Sequence, residues 1–149
     1  MNSNSDRQKK YEEIALSYFR LVDQGDPAIF DLFTEDAQMF FPKFGIATGK
    51  PQIAAFAQGF AGAIASIQHD VSGLHVMSSG NHVVVEGTGR GTLTSGASFP
   101  DSDPISGMFC NVFEFEGEHI KRLHIYEDPD FGRTHADGVS WGDSVRASL

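Results

Sequence analysis

The chain has 149 residues, 20 acidic against 11 basic, for a formal net charge of −9. That length suits one domain, which buries roughly 70% of its unfolded surface without staples. The charge argues against a nucleic-acid backbone or an anionic membrane surface as partner, since both recruit basic faces. Thirteen Phe against three Tyr and one Trp is an uneven aromatic stock. Phe has no polar handle, so this stock suits a dry interior or the wall of an apolar pocket. The single cysteine, Cys110, excludes an intramolecular disulfide and, within Met-Phe-Cys-Asn-Val-Phe, reads as a buried inert thiol. No apolar run approaches the ~20 residues of a membrane span, and the polar start MNSNSDRQKK has no signal-like apolar stretch, so a cytoplasmic protein is expected.

Residues 1–8 read as a frayed polar lead. From Tyr11 the apolar positions Ile14, Ala15, Tyr18, Phe19 and Val22 follow the rhythm of an amphipathic helix, which Gly25 stops. Asp26 as N-cap and Pro27 in the first turn open a short second helix with Ile29, Phe30, Leu32 and Phe33 inward. Residues 37–42 read as a short strand closed by Pro42, followed by a loop punctuated by Gly45 and Gly49. Residues 51–65 form a third helix with Ile53, Phe56, Phe60 and Ile64 along one side. Residues 67–78, 82–94, 105–115 and 119–127 are rich in Val, Ile, Phe and Thr and read as strands, with hairpin turns at Gly80 and Gly117. Residues 95–104 form a polar loop able to lie over a pocket mouth, and the tail beyond Pro129 has no clear period.

Helices followed by strands in hairpin order mean an α+β domain. A long sheet curls, and its concave face is where a ligand cavity forms. In the third strand Phe109, Asn111, Phe113 and Phe115 share one face, opposite Met108, Cys110, Val112 and Glu114. In the last, Ile120, Arg122, His124, Tyr126 and Asp128 alternate with Lys121, Leu123, Ile125 and Glu127; both sets mix polar and apolar residues, so alternation alone leaves the inward face open. There is no HxH, HExxH or CxxC spacing, which argues against a metal site. Gly87, Gly89 and Gly91 lie within a strand pattern and read as bulges rather than a phosphate loop.

The order of elements over residues 10–131 resembles the NTF2-like superfamily, especially its SnoaL-like and ketosteroid-isomerase-like members. The resemblance is carried by Tyr18-Phe-Arg-Leu-Val-Asp-Gln-Gly-Asp26, Leu32-Phe-Thr-Glu-Asp-Ala37, Gly49-Lys-Pro-Gln-Ile53 with Phe56, and the run from Ile120 to Asp128. It implies a cone in which a curved, antiparallel or mixed sheet wraps three N-terminal helices, over residues 1–131, with 132–149 as a tail. Tyr18 resembles the isomerases' oxyanion-hole tyrosine, and Asn111 stands where they carry a protonated aspartate. Their catalytic base falls at Phe41, which takes no proton, so ketosteroid isomerisation by the usual route is not expected. Asp128 resembles the strand-end aspartate of SnoaL-like cyclases. His69 resembles the proton-abstracting histidine of the dehydratase branches, paired there with an aspartate that here is Asp23 or Asp26.

The resemblance also puts Asn111, Arg122, His124 and Tyr126 on the concave side. Leu123 and Ile125 then fall on the convex side, to be covered by a second copy of the chain in a homodimer joined through the sheets. The expected function is cofactor-independent acid/base chemistry (isomerisation, cyclisation or elimination) on a small hydrophobic, polyketide- or steroid-like molecule. His69 with Asp23, or Asp128 with His124, would handle protons. Tyr18, Asn111, Arg122 and Tyr126, with Phe41, Phe56, Phe60, Phe109 and Phe113, would hold the substrate. The alternative is a non-catalytic binding protein that keeps the pocket. The same residues have plain structural readings: Tyr18 as core, Asp128 as a turn cap, and Arg122 paired with Asp128.

Overall fold

A computed structural model describes residues 3–100 and 107–149. The first helix, α1, runs Ser3–Gln24. The expected frayed lead is therefore helical from Ser3: residues 3–10 contain no Gly or Pro, so the helix propagates outward from its packed turns. Tyr11, Ala15, Tyr18 and Phe19 form its buried stripe. Gly25, at φ +62°, ends it in the left-handed conformation that costs glycine least. Asp26 caps the next element through its side chain, which accepts from the Ala28 N–H at 2.9 Å. That element, Pro27–Leu32, is a 3-10 helix. It runs straight into strand β1, Phe33–Phe41, which starts four residues before the predicted strand.

β2, Gly45–Thr48, pairs antiparallel with β1 where a loop was expected. Four residues are too few to show a period. α2, Lys50–Ala63, follows. The predicted strand over 67–78 is two strands, β3 (Ile64–His69) and β4 (His75–Ser79), parted by a 3-10 turn at Val71–Gly73. Both pair with the long β5, His82–Leu93. β6, Ser98–Phe99, adds a short rung to β5 inside the expected loop; the part of that loop over 101–104 and the predicted start of the next strand at Ile105 lie outside the described residues. β7 is Met108–Glu116 and β8 is His119–Glu127. The tail contains α3, Ala136–Ala147, which buries no residue; Trp141 is 72% exposed.

The sheet order is β2-β1-β8-β7-β5-β3, antiparallel except for the parallel β1–β8 pair. This is a mixed, curved α+β half-barrel, the expected cone. Phe19, Phe113, Val83, Val85, Ile120 and Leu123 fill the space between its concave face and the helices. Among the described residues no helix is long and apolar enough to cross a membrane.

Two of the β5 glycines, Gly87 and Gly91, mark close approach rather than bulges. A Cβ on Gly91 would lie 2.0 Å from the Ser66 carbonyl oxygen and 2.7 Å from the Phe99 ring. The first of these is backbone in a paired strand and cannot rotate away. Gly91→Ala is expected to cost about 3 kcal/mol, read as a lower denaturation midpoint in urea; an unchanged midpoint would show that β3 and β5 can separate freely.

Candidate functional site

A cavity of about 520 Å³ opens between the C-terminal end of α1, the Pro27–Leu32 turn, α2 and the concave sheet. Its walls are mostly rings: Phe30, Phe33, Phe41, Phe56, Phe60 and Phe109. The α2 positions arise from helical spacing, since Ile53, Phe56 and Phe60 fall on one side. Phe41 packs on Phe56 and Phe60 at ring separations of 5.0 and 5.7 Å.

Two elements far apart in sequence meet at His69. Asp23 stands in the last turn of α1, and His69 ends β3. One Asp23 oxygen accepts the His69 backbone N–H at 2.9 Å, and the other lies 2.5 Å from Nδ1. This two-point hold fixes both the backbone and the ring. Phe19 and Phe109 meet the imidazole edge-on at 5.0 and 5.1 Å. Its β5 neighbour is Gly89, where the missing side chain leaves ordinary contact space against the ring. Burial pushes the His69 pKa below its ordinary value and outweighs the opposing pull of Asp23. A neutral imidazole beside a carboxylate carries its proton on Nδ1, which donates to Asp23, so the Nε2 lone pair is left to accept a proton. Of the two aspartates considered, the partner is therefore Asp23; Asp26 is engaged as a cap.

The sheet supplies the other polar groups. Asn111 is only 3% exposed, lines the cavity and leaves its side-chain Oδ1 without a partner among the described residues. A buried orphan amide oxygen costs about 1–3 kcal/mol, so its presence on a cavity wall is an argument for a ligand that donates to it. Tyr18 faces the same space from α1; burial, and then the charge of Glu127, hold its hydroxyl above the ordinary phenol value. Glu127, at the end of β8, lines the cavity too. Burial, with a smaller push from Asp128, raises its carboxyl from 4.5 to about 7.

Glu127 takes the place expected of Asp128. Asp128 is exposed and its carboxylate accepts the Asp130 N–H at 2.9 Å, which makes it a turn cap. The placement of Arg122, His124 and Tyr126 on the concave side is likewise corrected. A bulge between Glu114 and Phe115 lets Phe115 pair with Ile120 and Glu114 with Arg122, so β8 carries an extra residue there. Ile120 and Leu123 therefore both face inward, Ile125 and Glu127 follow them, and Arg122, His124 and Tyr126 turn outward. There Arg122 donates from Nε to His124 at 2.9 Å and lies 3.7 Å from Glu114 rather than pairing with Asp128. Phe113 is fully buried against Tyr18 and Phe19 and belongs to the core, not the cavity lining. Cys110 is half-buried on the outer face, and burial, then Glu86, raise its thiol. His75, His82, His119 and His135 are exposed. Among the described residues no three His, Cys, Asp or Glu side chains converge as a metal site would need.

Residues 15–123 match the SnoaL-like domain model. The chain belongs to the SnoaL-like domain family. Among curated protein sequences none matches it. Among solved structures, an NTF2-like protein from Anabaena variabilis superposes on this SnoaL-like chain with a TM-score of 0.71 at 22% identity, covering 88% of this chain and 96% of its own. A phenazine biosynthesis-related protein from Pseudomonas aeruginosa gives 0.67 at 20% identity over 89% and 83%. A candidate polyketide cyclase from Xanthomonas campestris gives 0.67 at 17% over 81% and 92%. At such identities the likeness is one of fold.

Proposed function

We propose that this SnoaL-like protein catalyses cofactor-independent proton transfer on a small apolar carbonyl compound, and that His69 is the base. One observation carries this reading: an imidazole clamped through Nδ1 by Asp23 on the wall of a largely apolar cavity. His69 Nε2 takes a proton from the carbon next to the carbonyl, and the bond electrons move onto the oxygen. The Tyr18 hydroxyl and the Asn111 Nδ2–H donate to that oxygen as it becomes an enolate, and Asn111 Oδ1 accepts from a hydroxyl elsewhere on the substrate. Glu127, part-protonated near neutral pH, returns a proton elsewhere on the conjugated system or to a leaving group. Isomerisation, cyclisation and elimination share these steps. The kinship with polyketide-cyclase-like folds supports a cyclic or polyketide-like substrate.

The test is deuterium incorporation next to the carbonyl of an apolar cyclic ketone such as tetralone, followed by NMR in D₂O. Exchange above the buffer rate, lost in a folded His69→Asn variant, supports the reading; exchange that survives His69→Asn overturns it. A second reading, a binding protein without chemistry, is favoured by Phe41, which stands where the resemblance puts the isomerase base. Saturable binding with no exchange over a panel of ketones would establish that reading instead.

For the partner we propose a second copy of this chain on the outer face of the sheet. Leu123 and Ile125 face inward rather than outward, but the pairing registers line up Ile46, Phe40, His124, Val112, Val84 and Met77 as one stripe across the strands. Ile46 and Met77 are 56% and 45% exposed. Both charge signs flank the stripe, Arg122 beside Glu114 and the carboxylate of Glu86 on β5, so two copies related by a two-fold axis can complement each other. Sedimentation is expected to give a dimer, and Val84→Glu with Val112→Glu a folded monomer; a wild-type monomer at high concentration would sink the pairing.

A further inference from the structure

We infer that the cavity admits uncharged and cationic ligands and excludes anions, with Glu127 as the side chain that discriminates. This rests on the proposal that the cavity holds a small ligand, and it names the charge class of that ligand. Three carboxylates line the space, Asp23, Asp26 and Glu127, and among the described lining residues there is no Lys or Arg. The only other titratable base on the wall, His69, is held neutral by burial.

The three carboxylates differ in what engages them. Asp23 holds His69 at two points, and Asp26 accepts the Ala28 N–H. The Glu127 carboxyl has no hydrogen bond and no ion pair among the described residues. Backbone dipoles add to the same sign. Asp23, Gln24 and Gly25, at the C-terminal end of the 22-residue α1, line the cavity, and that end carries the negative pole of the helix. The one helical start at the wall, Pro27, offers no free amide, because proline has none and the next is taken by Asp26.

A ligand carboxylate entering here would leave water for an apolar wall with no counter-charge. Only neutral side-chain donors, Tyr18, Gln24, Ser66 and Asn111, would meet it, and burying an unpaired anion is costly. An ammonium would find an unengaged carboxylate at Glu127 and the faces of several Phe rings, which attract cations. A neutral carbonyl or alcohol needs neither and can use Tyr18, Asn111 or protonated Glu127.

The experiment is a fluorescence titration at pH 8 with three matched probes: anthracenylmethylamine, anthracenylmethanol and anthracene carboxylic acid. For the wild type the acid is expected to bind at least about tenfold more weakly than the amine, with the alcohol at or between the two. In Glu127→Gln, which keeps the size and hydrogen-bonding capacity of the side chain, the amine-to-acid ratio is expected to shrink at least about threefold. An acid that binds as tightly as the amine overturns the anion exclusion while leaving the ligand cavity standing. A ratio unchanged by Glu127→Gln overturns the part assigned to Glu127. If none of the three binds, alcohol included, the small-molecule reading of the cavity fails and this inference with it. The wild-type comparison decides the charge preference even if the variant does not fold.

Discussion

His69→Asn is expected to lower proton-exchange activity by about a thousandfold, within the range that general bases contribute, while leaving the circular dichroism spectrum unchanged. Asparagine keeps a polar group of similar reach at the end of β3 but has no lone pair basic enough to take a proton. Asp23→Asn tests the arrangement from the other side. Its carboxylate now accepts from Nδ1 at 2.5 Å and from the His69 backbone at 2.9 Å. An amide there can present an N–H to Nδ1, which moves the imidazole proton to Nε2, the atom that must be free. Asp23→Asn should therefore lose activity about a hundredfold or more. Because both changes remove one device, their effects should not add, and the double variant should be no slower than His69→Asn alone. Additive losses would mean that Asp23 acts on something other than His69.

The same pair shows what a sequence can and cannot disclose. Helix spacing placed Asp23 in the last turn of α1, and the family resemblance suggested pairing with His69, with Asp26 as the second choice. Only the helix stop at Gly25 separates them: Asp23 stays on the helix and faces β3, while Asp26 turns to cap Pro27–Leu32. On β7 alternation grouped Phe109 with Asn111, the resemblance put that face inward, and both line the cavity. On β8 it was not. The bulge opposite Glu114 and Phe115 is a backbone event with no glycine or proline to announce it, and a one-residue slip exchanges the two faces of a strand. One signal was present: Leu123 and Ile125 are an apolar pair two apart, and taking them as the inward face would have carried Glu127 into the cavity with them. The split of β3 from β4 was also written in the sequence, in Asp70 and Gly73, whose backbone groups close the intervening turn at 3.0 Å. The contacts that make β5 glycine-rich were not, because Gly87 answers to Leu74 and Gly91 to Ser66 and Phe99 only once the strands are paired.

Glu127 gives the second large effect, and it can be measured without any substrate. Its carboxyl is raised by burial, and less by Asp128, from 4.5 to about 7. A group raised in the folded state binds its proton more tightly there than in the unfolded chain. Its contribution is therefore complete below about pH 4.5, is lost progressively up to about pH 7, and is flat above. The full loss is on the order of 3 kcal/mol, since each pKa unit is worth about 1.4. Glu127→Gln never ionises and escapes this loss. The stability difference, variant minus wild type, should then rise across that window in paired urea titrations and level off in mild alkali. A difference independent of pH would place Glu127 in water and remove it from the cavity wall. The rate carries the matching signature. Protonated Glu127 is needed to return the proton, so wild-type kcat/KM should fall on an alkaline limb centred near 7 that Glu127→Gln lacks, its residual activity being flat there. On the acid side the limb belongs to His69, whose lowered value places its midpoint under 6.5. Because the two groups are pushed in opposite directions by the same burial, the active form has one of them deprotonated and the other protonated, and the maximum must lie between the two limbs.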